Sequence, residues 1–134
     1  MANKLFGDAT TNLIKQGLDA YTLRQKVIAE NIAQAETPGY RPRQISFEAL
    51  LQRASTVENR MRHEQEGHFV HAEGAKIRPL VSEDSDRALD NGTNTVSVDM
   101  EMAALAETNI NHKLATRALA LRYQLLGKAI RGRS

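Results

Sequence analysis

Asn31-Ile32-Ala33-Gln34-Ala35-Glu36-Thr37-Pro38-Gly39-Tyr40 is the stretch that decides how this chain folds. Its first residues continue a helical pattern, and its last ones end it. Proline disfavours helical geometry at Thr37 before it, and Gly39 admits a positive backbone angle, so a helix arriving from upstream stops here. Asn31 has two readings. Its amide braces the helix end through nearby backbone groups, or it reaches across to a second helix or another subunit. Tyr40 reads as a packing residue whose hydroxyl is hydrogen-bonded.

Upstream, Ile14, Leu18, Tyr21, Gln25, Ile28, Ile32 and Ala35 follow one another at spacings of 4, 3, 4, 3, 4 and 3. That is a heptad seam in which Gln25 is the one polar member. Thr10 or Thr11 is the candidate cap, and Gly17 costs about 1 kcal/mol relative to alanine. Asp19, Arg24, Lys26 and Glu30 fall off the stripe. The pattern predicts one helix from about residue 10 to residue 36.

Downstream, residues 37–98 hold no sustained period. Phe47, Leu50 and Leu51 suit a short helix after the turn. A polar stretch around residues 58–67 and an acidic one around residues 83–86 follow, punctuated by Gly67, Gly74, Pro79 and Gly92. Extended pieces are expected near residues 68–71 and 76–81. Helix returns at the end, with Asp99 as candidate cap and Glu101 in the first turn. Ile110, Leu114, Ala118, Leu121 and Leu125 then recur at 4, 4, 3 and 4, and Leu119 and Leu126 widen the stripe toward a second neighbour.

The fold class expected is therefore mainly α. Two long terminal amphipathic helices pair in a coiled-coil-like layer around an irregular middle with short extended pieces. The boundaries expected for a single domain over residues 1–134 are 10–36, 37–98 and 99–130. A pair of helices leaves much of a wide stripe uncovered, so the remaining apolar surface points to other copies or partners.

Composition narrows the functions available. The chain has 134 residues, no cysteine and no tryptophan, and aromatics make up 4%. Disulfides and cysteine-ligated metals are excluded. Net charge is +2, which argues for no nucleic-acid partner. The six basic residues after Glu107 (Lys113, Arg117, Arg122, Lys128, Arg131, Arg133) meet no acidic one. They complement the dipole of the last helix or face an acidic partner. No apolar run approaches the ~20 residues of a bilayer span, and the first residues resemble no cleaved signal. His63, His68 and His71 lie near Glu64, Glu66 and Glu73, but their spacing matches no standard zinc pattern, and His112 borders the last stripe. No nucleophile elbow, phosphate loop or triad is present, so no enzyme, cofactor or small-molecule substrate is expected.

The stretch at residues 31–40 resembles the signature of bacterial flagellar rod and hook proteins, Asn-Ile-Ala-Asn, two variable residues, Thr, then Pro or a small residue, Gly-Tyr. Asn31, Thr37, Pro38, Gly39 and Tyr40 carry that match, and Gln34 stands where the family usually has a second Asn. The helix before it, the run Tyr40-Arg41-Pro42-Arg43-Gln44-Ile45-Ser46-Phe47, and Asn94-Thr95-Val96-Ser97-Val98-Asp99-Met100-Glu101-Met102 are similar to the proximal rod type.

The resemblance implies a structural subunit of the flagellar basal-body rod, exported through the flagellar type III apparatus and assembled helically in the periplasm to transmit motor torque. Its partners would be other copies, other rod proteins, and membrane-ring and export-gate components. The assembly interface expected is Ile14, Leu18, Tyr21, Ile28 and Ile32 with Ile110, Leu114, Leu121 and Leu125. Phe47 with Leu51 resembles the short motif by which early substrates engage the export gate; a one-turn helical stripe explains the same pair. The alternatives are a secretion-linked helical adaptor or chaperone, or a sibling rod protein.

Overall fold

The computed structural model describes residues 9–64, 78–83 and 96–132. In chain order these form α1 (Ala9–Ala33), β1 (Arg43–Ser46), α2 (Glu48–Glu64), β2 (Leu80–Glu83) and α3 (Val98–Arg131). Mainly helical architecture, with the two long terminal helices in contact, is what the heptad spacing predicts.

α1 is already helical at Ala9, and Thr11 lies fully buried inside the first turn, so neither Thr10 nor Thr11 marks the boundary. The helix unwinds after Ala33 through a series of tight turns. The N–H groups of Gln34, Ala35 and Thr37 each donate to the carbonyl three residues back. Pro38 and Gly39 then complete the reversal. Gly39 has φ of 76°, and the Tyr40 N–H reaches the Thr37 carbonyl at 3.2 Å. Proline second, a left-handed glycine third and a bond closing the four residues is the chemistry of a type II turn. Gln34, the departure from the family pattern, keeps a local role by accepting from the Thr37 hydroxyl at 2.7 Å.

Beyond the turn, Pro42 is buried and β1 runs antiparallel to β2, with Arg43 opposite Glu83 and Ser46 opposite Leu80. The strand at Arg43–Ser46 is not among the extended pieces expected, and β2 begins later than the piece expected around residues 76–81. α2 is also longer than the short helix expected, spanning 17 residues and taking in most of the polar stretch. The piece expected near residues 68–71 lies outside the described residues.

α3 is capped by Ser97 rather than Asp99. The Ser97 hydroxyl accepts from the Met100 N–H, while Asp99 and Glu101 occupy the first turn. Gly132, at φ of 62°, closes the far end after Lys128 and Arg131 in the last turn. Acid at the start and base at the end both suit the helix dipole. Asn31 meets Glu101 and Gln25 meets Asn109, so α1 and α3 run antiparallel.

The core lies between α1 and the chain that folds back on it. Ala20, Val27, Ile45 and Phe47 are buried together, with Tyr21 packed at their edge. α2 approaches α1 at Gly17, where the Leu51 methyls lie 3.7 Å and more from the place a Cβ would occupy.

Candidate functional site

Asn31 is the junction of the molecule. It is 1% exposed, and every hydrogen-bonding position of its amide is used. Oδ1 accepts from the Arg43 N–H at 3.0 Å and from the Tyr40 hydroxyl at 3.0 Å. Nδ2 donates to the Arg43 carbonyl at 2.8 Å and to Glu101 Oε2 at 3.2 Å. The pair of bonds to Arg43 is what a neighbouring strand would offer, so a side chain of α1 stands in for a third strand. Arg24, two turns earlier, does the same at Ile45, donating to its carbonyl at 2.6 Å. Both readings of Asn31 are therefore realised: it braces the turn and it reaches α3.

Arg24 and Glu30 are drawn onto the returning chain rather than left to solvent. Glu30 pairs with Arg43, and Arg24 pairs with Glu48. The Arg24 guanidinium carbon lies 4.6 Å from the centre of the Phe47 ring, and Tyr21 meets that ring edge-on at 5.0 Å. Phe47 is 1% exposed in the socket so formed. Its carbonyl receives the Leu51 N–H, which starts α2 and sets Leu51 on the same side of that helix, half-buried. Burial raises the Tyr21 hydroxyl above its ordinary range, and the Glu48 carboxylate adds to this. Burial also pushes the Glu48 carboxyl up, but hydrogen bonds from Arg24 and from the Glu48 and Phe47 N–H groups outweigh it and leave that carboxyl below its ordinary range.

The two helices present their seams differently. On α1, Ile28 is buried and Ile14, Leu18, Tyr21 and Ile32 are half-buried, and Ala35, in the turn just past its end, is buried. On α3, Ile110, Leu114, Leu121 and Leu125 are 59%, 57%, 57% and 56% exposed. The face that α3 turns inward is another one: Glu101 and Thr108 are buried, and Ala104, Leu105, His112, Ala115, Leu119 and Leu126 are half-buried. At about 100° per residue, the two faces lie about 140° apart around the helix. Leu105, Leu119 and Leu126 thus belong to the inner face, and Ile110, Leu114, Leu121 and Leu125 form a stripe that the described residues leave open.

Sequence reasoning missed the inner face because it is polar where it matters. Glu101 accepts a bond from Asn31, and the Thr108 hydroxyl donates to the Ala104 carbonyl at 2.7 Å. The available signal was a second 3–4 register through Leu119 and Leu126. Further exposed apolar side chains lie at Leu80, Val81, Met100 and Met102.

Of the histidines, His112 sits half-buried on the inner face of α3. His68 and His71 lie outside the described residues, and so does the His63 side chain. Among the described residues no three metal-ligating side chains gather, and no helix is long and apolar enough to cross a membrane.

No family model matches the chain. Curated relatives match over most of its length. The flagellar basal body rod protein FlgB of Borreliella burgdorferi is 30% identical over 110 residues, 77% of this chain and 82% of that protein. The FlgB of Escherichia coli is 30% identical over 131 residues, 90% of each chain. That of Bacillus subtilis is 28% identical over 128 residues, 96% of this chain and 97% of its own.

Proposed function

This chain belongs to the FlgB family of flagellar basal body rod proteins, and from that premise we propose that its rod contacts are made chiefly by the outer stripe of α3. It is a structural subunit of the flagellar basal body rod, not an enzyme, and it resides in that rod. The single observation that carries the proposal is the open stripe Ile110, Leu114, Leu121 and Leu125, each residue more than half exposed. A row of large apolar side chains at heptad spacing, on a helix already packed on its other side, is built for a second helix.

The α1 seam has a different task under this proposal. Ile28 and Tyr21 fix the subunit's own shape, and the partly covered Ile14, Leu18 and Ile32 contribute their outer edges to neighbouring subunits. The turn at Thr37, Pro38, Gly39 and Tyr40, locked by Asn31, sets the angle at which β1 and α2 leave the helix pair. Neighbours are other copies and other rod proteins, stacked as a proximal segment in the periplasm, with membrane-ring components beside them. Many repeated interfaces of this kind suit a shaft that transmits torque.

Phe47 and Leu51 serve twice in this scheme. Folded, they hold α2 against α1; unfolded during type III export, they are the exposed aromatic and apolar pair that the export gate takes. Replacing Phe47 with Ala and fractionating cells separates the two roles. Retention in the cytoplasm supports the gate contact, and wild-type periplasmic levels of unassembled subunit remove it.

A secretion-linked adaptor would present similar helices but would not be part of the shaft. Electron cryotomography of cells lacking this chain decides between them. A rod subunit's loss leaves no complete rods, whereas an adaptor's loss leaves some.

A further inference from the structure

The outer stripe of α3 is palindromic. Measured from the midpoint between Arg117 and Ala118, Leu114 and Leu121 lie at equal distances, as do Ile110 and Leu125, and as do Glu107 and Lys128. All are exposed. A helix with this order meets its own copy in antiparallel register with like matched to like in size and opposite matched to opposite in charge. Ile110 faces Leu125, Leu114 faces Leu121, and each end brings Glu107 of one copy to Lys128 of the other.

From this we infer that two copies of the chain pair reversibly, antiparallel and about a two-fold axis at Arg117–Ala118, through the same face that we propose for the rod. The inference rests on that reading of the stripe and adds a regulation to it. A two-fold contact uses the same patch on both copies and closes on itself, so it cannot propagate into a filament. A subunit so paired has its assembly face covered and is held in reserve until a growing rod outcompetes its twin.

Charge selects the second copy, and in this orientation. Parallel pairing would set Glu107 beside Glu107 and Lys128 beside Lys128, whereas the antiparallel register turns both into opposite-sign neighbours. Size keeps the pair weak. Four side chains slightly more than half exposed offer about 400 Å² per copy, or roughly 800 Å² for the pair, below the ~1,200 Å² of a standard stable interface. The two Arg117 side chains border the stripe near the axis and oppose each other there. Weak association is what a reserve state needs, because it must yield to assembly.

The absence of any native cysteine makes the register directly readable. Ile110→Cys and Leu125→Cys chains, prepared separately and oxidised alone or mixed, report which positions meet. Both positions are exposed, so neither change disturbs the subunit's own packing. The expected result is a disulfide dimer in the 110/125 mixture and little from either chain alone. Dimers of 110 with 110 and 125 with 125 overturn the inference in favour of a parallel pair.

Sedimentation of the unmodified chain from micromolar to millimolar concentration gives the second readout. Concentration-dependent dimers are expected. Lys128→Glu weakens them about tenfold, and adding Glu107→Lys restores them to within about threefold of the unmodified chain. A strictly monomeric chain across that range, or a double exchange that restores nothing, overturns the pairing. Neither outcome touches the rod reading, which stands or falls on motility when the stripe itself is broken.

Discussion

Ile28 on α1 is 5% exposed and Leu121 on α3 is 57% exposed, although each sits in a heptad stripe of comparable length and composition. The difference lies in what the rest of the chain does to each helix. α1 is wrapped: α3 covers one side, and the turn at Asn31 brings β1, Phe47 and α2 back over another. α3 has no such return along its outer side among the described residues, so its second stripe stays at the surface. Two seams with the same periodicity thus have different surroundings: one is closed by the chain's own fold, and the other is the surface that we propose for contacts between subunits.

The comparison breaks most severely at Ile28. Ile28→Asp places an unpaired carboxylate in a closed seam and should cost several kcal/mol, enough to unfold a domain of this size. The matching change on α3, Ile110→Asp, should leave the unfolding free energy within about 0.5 kcal/mol of the parent. Urea denaturation followed by far-ultraviolet circular dichroism measures both. Equal losses would mean that the two seams are not different in kind.

Asn31→Ala tests the link between the regions. It removes the bonds that Asn31 makes to the Arg43 N–H and carbonyl, the Tyr40 hydroxyl and Glu101 at a single stroke, and we expect a loss of about 2–4 kcal/mol. Amide exchange should quicken in β1 and in the first turns of α3 together. Faster exchange confined to β1 would show that Glu101 does not depend on Asn31.

The remaining two effects are smaller. Gly17→Ala should stabilise by about 1 kcal/mol through helix propensity, since its methyl would meet Leu51 at ordinary contact distance. Thermal unfolding reads this, and a lower midpoint would mean that α2 is packed on α1 more tightly than the spacing indicates. The pH effect at Glu48 is smaller still. Its folded carboxyl lies below the ordinary range, so its contribution is present above the unfolded value and is lost as pH falls through the folded one. For a pair this exposed the contribution is under about 1 kcal/mol. Glu48→Gln should flatten that acid-side loss in stability measured against pH, and an unchanged slope would remove Arg24–Glu48 from the account.

Much of the fold was legible where local physics decides it. The heptad spacing found both long helices, and proline with glycine placed the turn. What escaped depends on partners distant in sequence. β1 is four residues with one buried side chain, Ile45, and its edge is satisfied by Arg24 and Asn31 from a helix. No strand propensity registers such donors. The inner face of α3 escaped for a related reason. A stripe containing Glu101 and Thr108 reads as solvent-facing until Asn31 and the Ala104 carbonyl are seen to satisfy them. The more apolar stripe was therefore easy to find, and it is the one that the described residues do not cover. Apolar periodicity finds seams; it does not say which partner closes each.

The measurement that bears most directly on this division is a paired one on Leu121→Asp. The chain carrying it is purified for urea unfolding, and the same change is introduced into cells for swimming and for imaging of basal bodies. The account predicts a wild-type unfolding midpoint together with non-motile cells that lack complete rods. Normal swimming with complete rods would contradict it, because the outer stripe of α3 would then be no part of the assembly.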